Sequence, residues 1–406
     1  MRICLLSPES CRGGAGGIAT YTDNLARALV EGDENNEVTV VLPGKGGRYR
    51  QKGISYREIP LPPRLHIPMG NRYFGNTLAA IPFILACRRE VNELIDAGLD
   101  VVESPEWMAG GLLLALEGRV PVITRLHTHL RLVRRLNGLP IDLDARFFSF
   151  LERSLILHSS LVLSNSSALA WECARDLDLP HGIIEVLPLG IDTKVFFPRE
   201  AQPKKPVILY LGRLERRKGV DVLAEAFALI AEQFPSSTLV LAGTSTQTAT
   251  GQRDFKEELL ETHAELVRKG RMVFLGGVPY GDIPELCAGC DILAAPSPFE
   301  AFGMVYLEAM ASGKPVVGCN SGGAPEVVVP GKTGILVKPR EPGEMAEALA
   351  FLLSNDRLRA EMGRQAREHV LQHFESGRIA QRTLAFYLRA RENWRLRKRE
   401  AYVEAA

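Results

Sequence analysis

Cysteine is sparse in this 406-residue chain. Its seven thiols, an odd number, are scattered at positions 4, 11, 87, 173, 287, 290 and 319. That spread excludes a disulfide-stapled framework, which sets an even number of cysteines in a short secreted chain. Net charge is nearly absent too: 49 Lys and Arg oppose 48 Asp and Glu, leaving +1. A dedicated nucleic-acid binder would carry a basic excess. Long apolar runs are also lacking. The longest, 78–87, is about half a membrane span and contains Pro82. The start, Met1-Arg2-Ile3-Cys4-Leu5-Leu6-Ser7-Pro8, is too short an apolar run for a signal peptide. These gaps predict reduced thiols in a cytosolic protein. Hydrophobic residues at 46% and charged residues at 24% give an ordinary globular balance, not a disordered or collagen-like one.

At roughly one domain per 150 residues, the length predicts two or three domains. Apolar or β-branched runs at 3–7, 38–42, 101–103, 120–126 and 161–164 read as buried strands. Amphipathic stretches such as 18–31 and 78–97 separate them. Strand–helix alternation of this kind makes a parallel sheet with helices on both faces. The pattern restarts after residue 205, with strands predicted at 207–211, 239–242, 273–275, 292–295 and 316–318. Helices are predicted at 219–233, 253–269, 303–312 and 342–353, and an Arg-rich one over 378–400. Between the halves, residues 197–206 hold three prolines and four charges, the composition of a linker. The division is therefore 1–197, 206–377 and a terminal segment 378–406. Ligands of open α/β sheets sit at the carboxyl ends of strands, so two facing domains would place a cleft between them.

The richest segment is Pro296-Ser297-Pro298-Phe299-Glu300-Ala301-Phe302-Gly303-Met304-Val305-Tyr306-Leu307-Glu308-Ala309-Met310-Ala311-Ser312-Gly313-Lys314-Pro315-Val316-Val317. A strand ends at Ala295, a Pro-rich turn follows, and a helix starts near Gly303. Glycine there lets a phosphate approach N–H groups at the positive end of a helix. Glu308 lies too far along to cap that helix, and a phosphate would repel it. Accepting two hydrogen bonds from a ribose diol suits it better, each worth roughly 1.5–3 kcal/mol. Solvated acids at a helix start are the plain alternative. Other short patterns are Gly212-Arg213-Leu214-Glu215-Arg216-Arg217-Lys218-Gly219, Pro188-Leu189-Gly190-Ile191-Asp192, Gly322-Gly323-Ala324-Pro325-Glu326 and Gly331-Lys332-Thr333-Gly334. Gly13-Gly14-Ala15-Gly16-Gly17 lies between the first strand and its helix. It meets a loose dinucleotide fingerprint, but the run from Ser7 to Gly14 is too long for the tight turn required.

Together these motifs resemble the family-4 retaining glycosyltransferases, whose two Rossmann-like α/β domains form the GT-B fold. The resemblance spans most of the chain. It implies a nucleotide-diphosphate sugar as donor substrate, and neither cofactor nor metal. It places Arg213 and Lys218 on the diphosphate, Glu300 on sugar hydroxyls and Glu308 on the ribose. Backbone at Gly212, Phe302, Gly303, Met304 and Val305 would meet the donor, and Gly14, Gly16 and Gly17 would close over its diphosphate. His127, in Leu126-His127-Thr128-His129, would reach the transferred sugar. His129 is either acceptor-side or structural. The implied chemistry is front-face displacement, with the leaving phosphate helping to deprotonate the acceptor. The last helix would return to the first domain. Uridine is the favoured base and GDP-mannose the second choice. One departure stands out: Gly243-Thr244-Ser245-Thr246-Gln247-Thr248 replaces the family's glycine–acid–glycine turn.

Two basic stretches lie in the first half. Residues 45–72 hold Lys45, Arg48, Arg50, Lys52, Arg57, Arg64 and Arg72 against Glu58, and 125–135 add Arg125, Arg131, Arg134 and Arg135. They suit an anionic acceptor, a lipid-linked pyrophosphate or an oligosaccharide, at the inner membrane surface, or they are solvated loops. Cys287-Ala288-Gly289-Cys290 lacks a second pair and reads as buried thiols. Gly331-Lys332-Thr333 lacks the earlier glycine of a phosphate loop. Ser164-Asn165-Ser166 is no nucleophile elbow, though the resemblance sets it near the cleft. Other readings are a nucleotide-sugar epimerase of the same fold, a dinucleotide-dependent oxidoreductase, and a non-catalytic nucleotide-binding subunit.

Overall fold

The computed structural model describes residues 1–9, 16–60, 74–199, 205–245 and 254–405, with side chains to 400. Two compact units divide the chain, Met1–Gly190 with Ser376–Ala406, and Ile191–Glu375. The split falls ahead of the Pro-rich stretch. Ile191 N–H donates to the Phe374 carbonyl at 2.9 Å, and the Arg367 guanidinium donates to the carbonyls of Phe196 and Thr193. These bonds bind 191–196 to the second unit.

The first unit is built on β1 (Arg2–Leu6), β2 (Glu37–Gly44), β3 (Gly47–Gln51), β4 (Ile54–Pro60), β5 (Val101–Pro105), β6 (Val122–Leu126), β7 (Leu161–Ser164) and β8 (Ile184–Val186). Their order is β3-β4-β2-β1-β5-β6-β7-β8. Every ladder is parallel except β3 with β4. Lys52 and Gly53 both have positive φ in that hairpin, as a two-residue turn matched to strand twist requires. Ile3, Cys4, Leu5 and Leu6 are all buried, because helices cover both faces of a parallel sheet. The helix Gly75–Asp96 turns Ala80, Phe83, Ile84, Cys87 and Val91 into the core, the helical 3.6-residue spacing.

The terminal helix Ser376–Ala405 packs in this unit, as expected, burying Ile379, Ala380, Tyr387 and Ala390. A buried polar knot ties it down. Glu103 on β5 accepts from Tyr387 Oη at 2.8 Å and from Tyr21 Oη at 2.6 Å. Arg125 Nε on β6 lies 3.7 Å from the same carboxylate.

In the second unit β9 (Val207–Leu211), β10 (Thr238–Ala242), β11 (Met272–Gly276), β12 (Ile292–Ala295), β13 (Val316–Cys319) and β14 (Gly334–Val337) form a parallel sheet. The order is β11-β10-β9-β12-β13-β14, the dinucleotide-fold order in which the chain reverses direction between the first and fourth strands. The two switch points, β1/β5 and β9/β12, single out four loops.

Candidate functional site

The β9 and β12 loops in the second unit carry most of the predicted residues. Gly219, at φ +68°, lies so close to the β12 loop that a Cβ there would meet the Pro296 carbonyl oxygen at 2.2 Å. That approach brings Lys218 to Glu300. Lys218 Nζ donates to Glu300 Oε2 at 2.7 Å and Oε1 at 3.0 Å. Burial pushes the Glu300 carboxyl up, but Lys218, Arg217 and a bond from Ser297 outweigh it and hold the group below its ordinary value. The loop is braced from behind, where Gly323 N–H donates to the Glu300 carbonyl at 2.7 Å. Gly322, at φ +58°, lies against the same carbonyl, which explains the paired glycines.

Glu300 leads straight into the helix Met304–Ala311. Its N-cap is Gly303 at φ +100°, and no side chain caps its first turn. The free N–H groups at such an end attract anions. A Cβ on Gly303 would strike the Tyr306 ring at 2.3 Å and approach Glu300 Cγ at 3.4 Å. Met304 and Val305 are half-buried in that first turn. Phe302 is buried against the Phe374 ring, 6.0 Å away, so its side chain is core. Glu308 is buried further along the helix and makes no hydrogen bond with its carboxylate among the described residues. Burial alone pushes its carboxyl up to about 7. The structure thus brings Lys218, Glu300 and Gly303 together, with Glu308 on the helix that Gly303 starts.

Arg213 stands apart from that cluster. Its side chain is half exposed and pairs with Glu215 at 3.4 Å, while Tyr210 Oη donates to its carbonyl at 2.7 Å. Arg217, which the sequence reading passed over, is largely buried and holds Glu215 at 2.7 Å. Gly212 packs against Tyr210, and Gly243 lies hard on the Gly212 carbonyl. Leu214 N–H donates to the Thr244 carbonyl at 2.9 Å. Backbone thus stacks on backbone where the family's acidic turn is missing. Residues 246–248 of that departure lie outside the described residues.

In the first unit, Gly14 lies outside the described residues. Gly16 is the N-cap of the helix Gly17–Gly32 and has no side-chain capping bond of its own. Glu9 reaches over instead, accepting from Ala19 N–H at 3.3 Å. Gly17 faces open space. After β6, His127 N–H donates to both oxygens of buried Glu106, at 2.8 and 2.9 Å. Glu106 follows β5, so this bond joins the loops after β5 and β6. The His127 ring packs edge-on against Tyr21, 5.2 Å away. Burial and the Arg125 charge push the imidazole down to about 3, so it is neutral. Burial raises Glu106 to about 7 against the N–H bonds it accepts.

His129 is structural: it is fully buried, with Nε2 3.1 Å from Asp176 Oδ2. Asn165 Nδ2 donates to the Leu126 carbonyl, and Ser166 caps the helix Ser167–Asp176. Cys287 and Cys290 are buried, and burial pushes the Cys290 thiol up to about 12. Five arginines of the basic stretches are paired within the unit, while Lys45, Arg50 and Lys52 are exposed and have no ion pair among the described residues. Arg48 and Arg57 pair with Glu90 and Glu93, Arg125 with Glu103, Arg134 with Asp142 and Arg135 with Glu172 and Asp176. Arg131 donates to the Asp176 carbonyl. Arg64 and Arg72 lie outside the described residues. No described helix is long and apolar enough to cross a membrane.

Two family profiles cover nearly the whole chain. Residues 15–195 match "Glycosyltransferase Family 4" and residues 192–369 match "Glycosyl transferases group 1". The chain is 30% identical over 398 residues to a D-inositol 3-phosphate glycosyltransferase of Corynebacterium diphtheriae, covering 91% of this chain and 90% of the relative. The Corynebacterium jeikeium enzyme of the same name is 28% identical over 404 residues, covering 91% and 92%. Among solved structures, sucrose-phosphate synthase from Thermosynechococcus elongatus superposes with a TM-score of 0.78 at 21% identity, over 96% of this chain and 98% of that one. HepE of Anabaena, solved with UDP, gives 0.71 at 22% identity, over 95% and 99%. These likenesses identify the fold as GT-B.

Proposed function

The chain belongs to glycosyltransferase family 4, and from that premise we propose that it moves a hexose from a UDP-sugar to an acceptor hydroxyl with retention of configuration. The observation that carries this reading is the Lys218–Glu300 pair. It stands at the β9/β12 switch point, where open α/β sheets bind ligands, and directly before the uncapped helix at Gly303. In the free enzyme Glu300 holds Lys218. A donor diphosphate competes for that ammonium and for the N–H groups of the helix start, releasing Glu300 to accept from sugar hydroxyls. Glu308, whose carboxylate has no hydrogen-bond partner among the described residues, would take the ribose diol.

Positive charge from Lys218 and the helix end, joined by Arg213 if its exposed side chain leaves Glu215 and turns toward the donor, would take the place of a divalent metal, so activity should persist in EDTA. Neutral His127 can donate a hydrogen bond to the sugar or leaving phosphate but cannot act as a general acid. The leaving phosphate would take the acceptor proton on the front face. UDP is the first base to try because HepE, which shares this fold, is solved with UDP-glucose. D-inositol 3-phosphate is the first acceptor to try, since the corynebacterial relatives are named for it.

Thermal stability in EDTA tests the donor against UDP, GDP, ADP, NAD and their sugar derivatives. A ligand at about 100 times its dissociation constant adds about 2.7 kcal/mol. A clear shift with UDP supports the reading. A shift with GDP alone moves the donor to GDP-mannose, and a shift with NAD alone overturns a transferase site. Proton NMR of the product then reads the anomeric configuration.

A further inference from the structure

The turn after β6 is held at successive residues by side chains from other segments of the first unit. Asn165, after β7, donates from Nδ2 to the Leu126 carbonyl at 2.7 Å. Glu106, after β5, accepts from His127 N–H. Asp176 meets the His129 ring at 3.1 Å. Glu152, on the helix Leu143–His158, accepts from Leu130 N–H at 3.1 and 3.3 Å. Glu152 is fully buried.

Satisfying one N–H does not require a buried acid. Leu130 begins the helix Leu130–Leu136, and its N-cap, His129, makes no side-chain capping bond. A serine or aspartate at 129 would meet the end N–H groups locally. A carboxyl group in the core, 22 residues away in the chain, is a costly substitute. The helix that carries it also reaches the neighbouring loop. Phe148, one turn before Glu152 and on the same face, packs its ring 5.2 Å from that of Trp107, the residue after Glu106. One helix face thus touches the loops after β5 and β6, which the His127 N–H bond to Glu106 joins.

The two carboxyl groups have different partners. Glu106 accepts from the N–H groups of Trp107, His127 and Thr128 as well as its own, whereas Glu152 is met by Leu130 N–H. Burial and the charge of Glu106 push the Glu152 carboxyl well up, against that N–H and Arg131. Of the two, Glu106 ionises first and Glu152 keeps its proton.

We propose that Glu152 is a positioning residue for the transfer reaction, fixing the turn 127–130 at its Leu130 end as Glu106 fixes it at His127. This role rests on His127 serving in transfer.

Glu152→Gln and Glu152→Asp test it in the full chain. Glutamine keeps the length and an accepting oxygen, and it stands in for the neutral acid. Aspartate keeps the acid but withdraws it from Leu130 by one methylene. Turnover is read with UDP-glucose and D-inositol 3-phosphate. The His127 amide is read by nitrogen NMR of the histidine-labelled chain, its signal identified by its loss in His127→Ala. Glu152→Asp should lose about 10- to 100-fold in kcat, the scale of an ångström-sized misplacement, with the KM for UDP-glucose and the UDP-induced thermal shift kept. Its His127 amide signal should move. Glu152→Gln should keep most of kcat and the parent signal. Parent kcat in Glu152→Asp, or an unmoved His127 signal, overturns the proposal. So does a glutamine variant as slow as the aspartate one. His127→Ala with parent turnover overturns both this role and the reading beneath it, whereas a slow His127→Ala beside a fully active Glu152→Asp overturns the role of Glu152 alone.

Discussion

Lys218 Nζ lies 2.7 and 3.0 Å from the two carboxylate oxygens of Glu300, although the residues follow different strands. The pair exists because β9 and β12 are neighbours in the sheet while their continuations run to opposite sides. Lys218→Ala would leave a buried carboxylate with less counter-charge. Its lowered carboxyl contributes stability that is present above the ordinary value and lost as pH falls through the folded value. Without Lys218 that loss begins at higher pH. Turnover should fall about 100-fold, the usual cost of removing one stabiliser of leaving-group charge, and the acid limb of the kcat/KM profile should move up. Steady-state rates across pH check both.

Glu308 carries a second pH prediction of opposite sign. Its carboxyl is raised from 4.5 to about 7 by burial. The folded chain holds that proton more tightly than the unfolded one, so this stability is full below the unfolded value and lost as pH rises toward 7. Glu308→Gln buries no charge and should melt higher than the parent at pH 8, with the two converging under acid conditions. The same variant loses charge-assisted bonds worth roughly 1.5–3 kcal/mol each, so UDP should bind about tenfold or more weakly by calorimetry. A variant that is more stable yet binds less is what a ligand-facing buried carboxylate predicts.

His127 and Glu106 test the first unit. His127→Ala should cut transfer far more than it weakens donor binding, and unchanged turnover would remove the residue from the reaction. Because the imidazole is held down near 3, it should show no titration above pH 5 by nitrogen NMR. His127 N–H donates to Glu106 Oε1 at 2.8 Å and Oε2 at 2.9 Å, and Glu106→Gln exchanges one of these accepting oxygens for an amide NH2, which can only donate. Its kcat should fall with donor affinity kept, which separates positioning of the loop from binding.

These residues differ in how far the sequence disclosed them. β9 to β13 are apolar runs because helices cover both faces of a parallel sheet, and each lies within a residue or two of its expected place. β3 and β4 carry Arg48, Arg50, Arg57 and Glu58, so no apolar run marks them and the sequence of the hairpin shows only a basic stretch. Lys218, Glu300, Gly303 and Glu308 were legible as a motif, since strand end, glycine and helix start appear in order. Arg217 was not, because burial beside Glu215 is invisible within a run of cations. Glu106 depends on register: Pro105 pairs with Arg125, and only that alignment sets the following carboxylate beside His127. The domain boundary shifted because 191–196 binds the second unit through backbone carbonyls, a role that composition does not encode.

Glu103 gives the clearest stability test. It is 3% exposed, accepts from Tyr21 and Tyr387, and faces Arg125, which is 1% exposed. Each partner comes from a different element: the helix Gly17–Gly32, the terminal helix, and β6. Removing one side of a buried charge pair costs about 3–5 kcal/mol, because the other charge stays behind without water. Glu103→Ala should therefore lose that much in urea denaturation. Glu103→Gln keeps an acceptor for the tyrosines and should lose less. The loss should also be local, since Tyr387 anchors the terminal helix to the sheet. Hydrogen exchange over 376–400 should quicken in Glu103→Ala while β9 to β14 keep their protection. Uniform loss of protection across both units would mean that Glu103 supports global folding rather than this anchor.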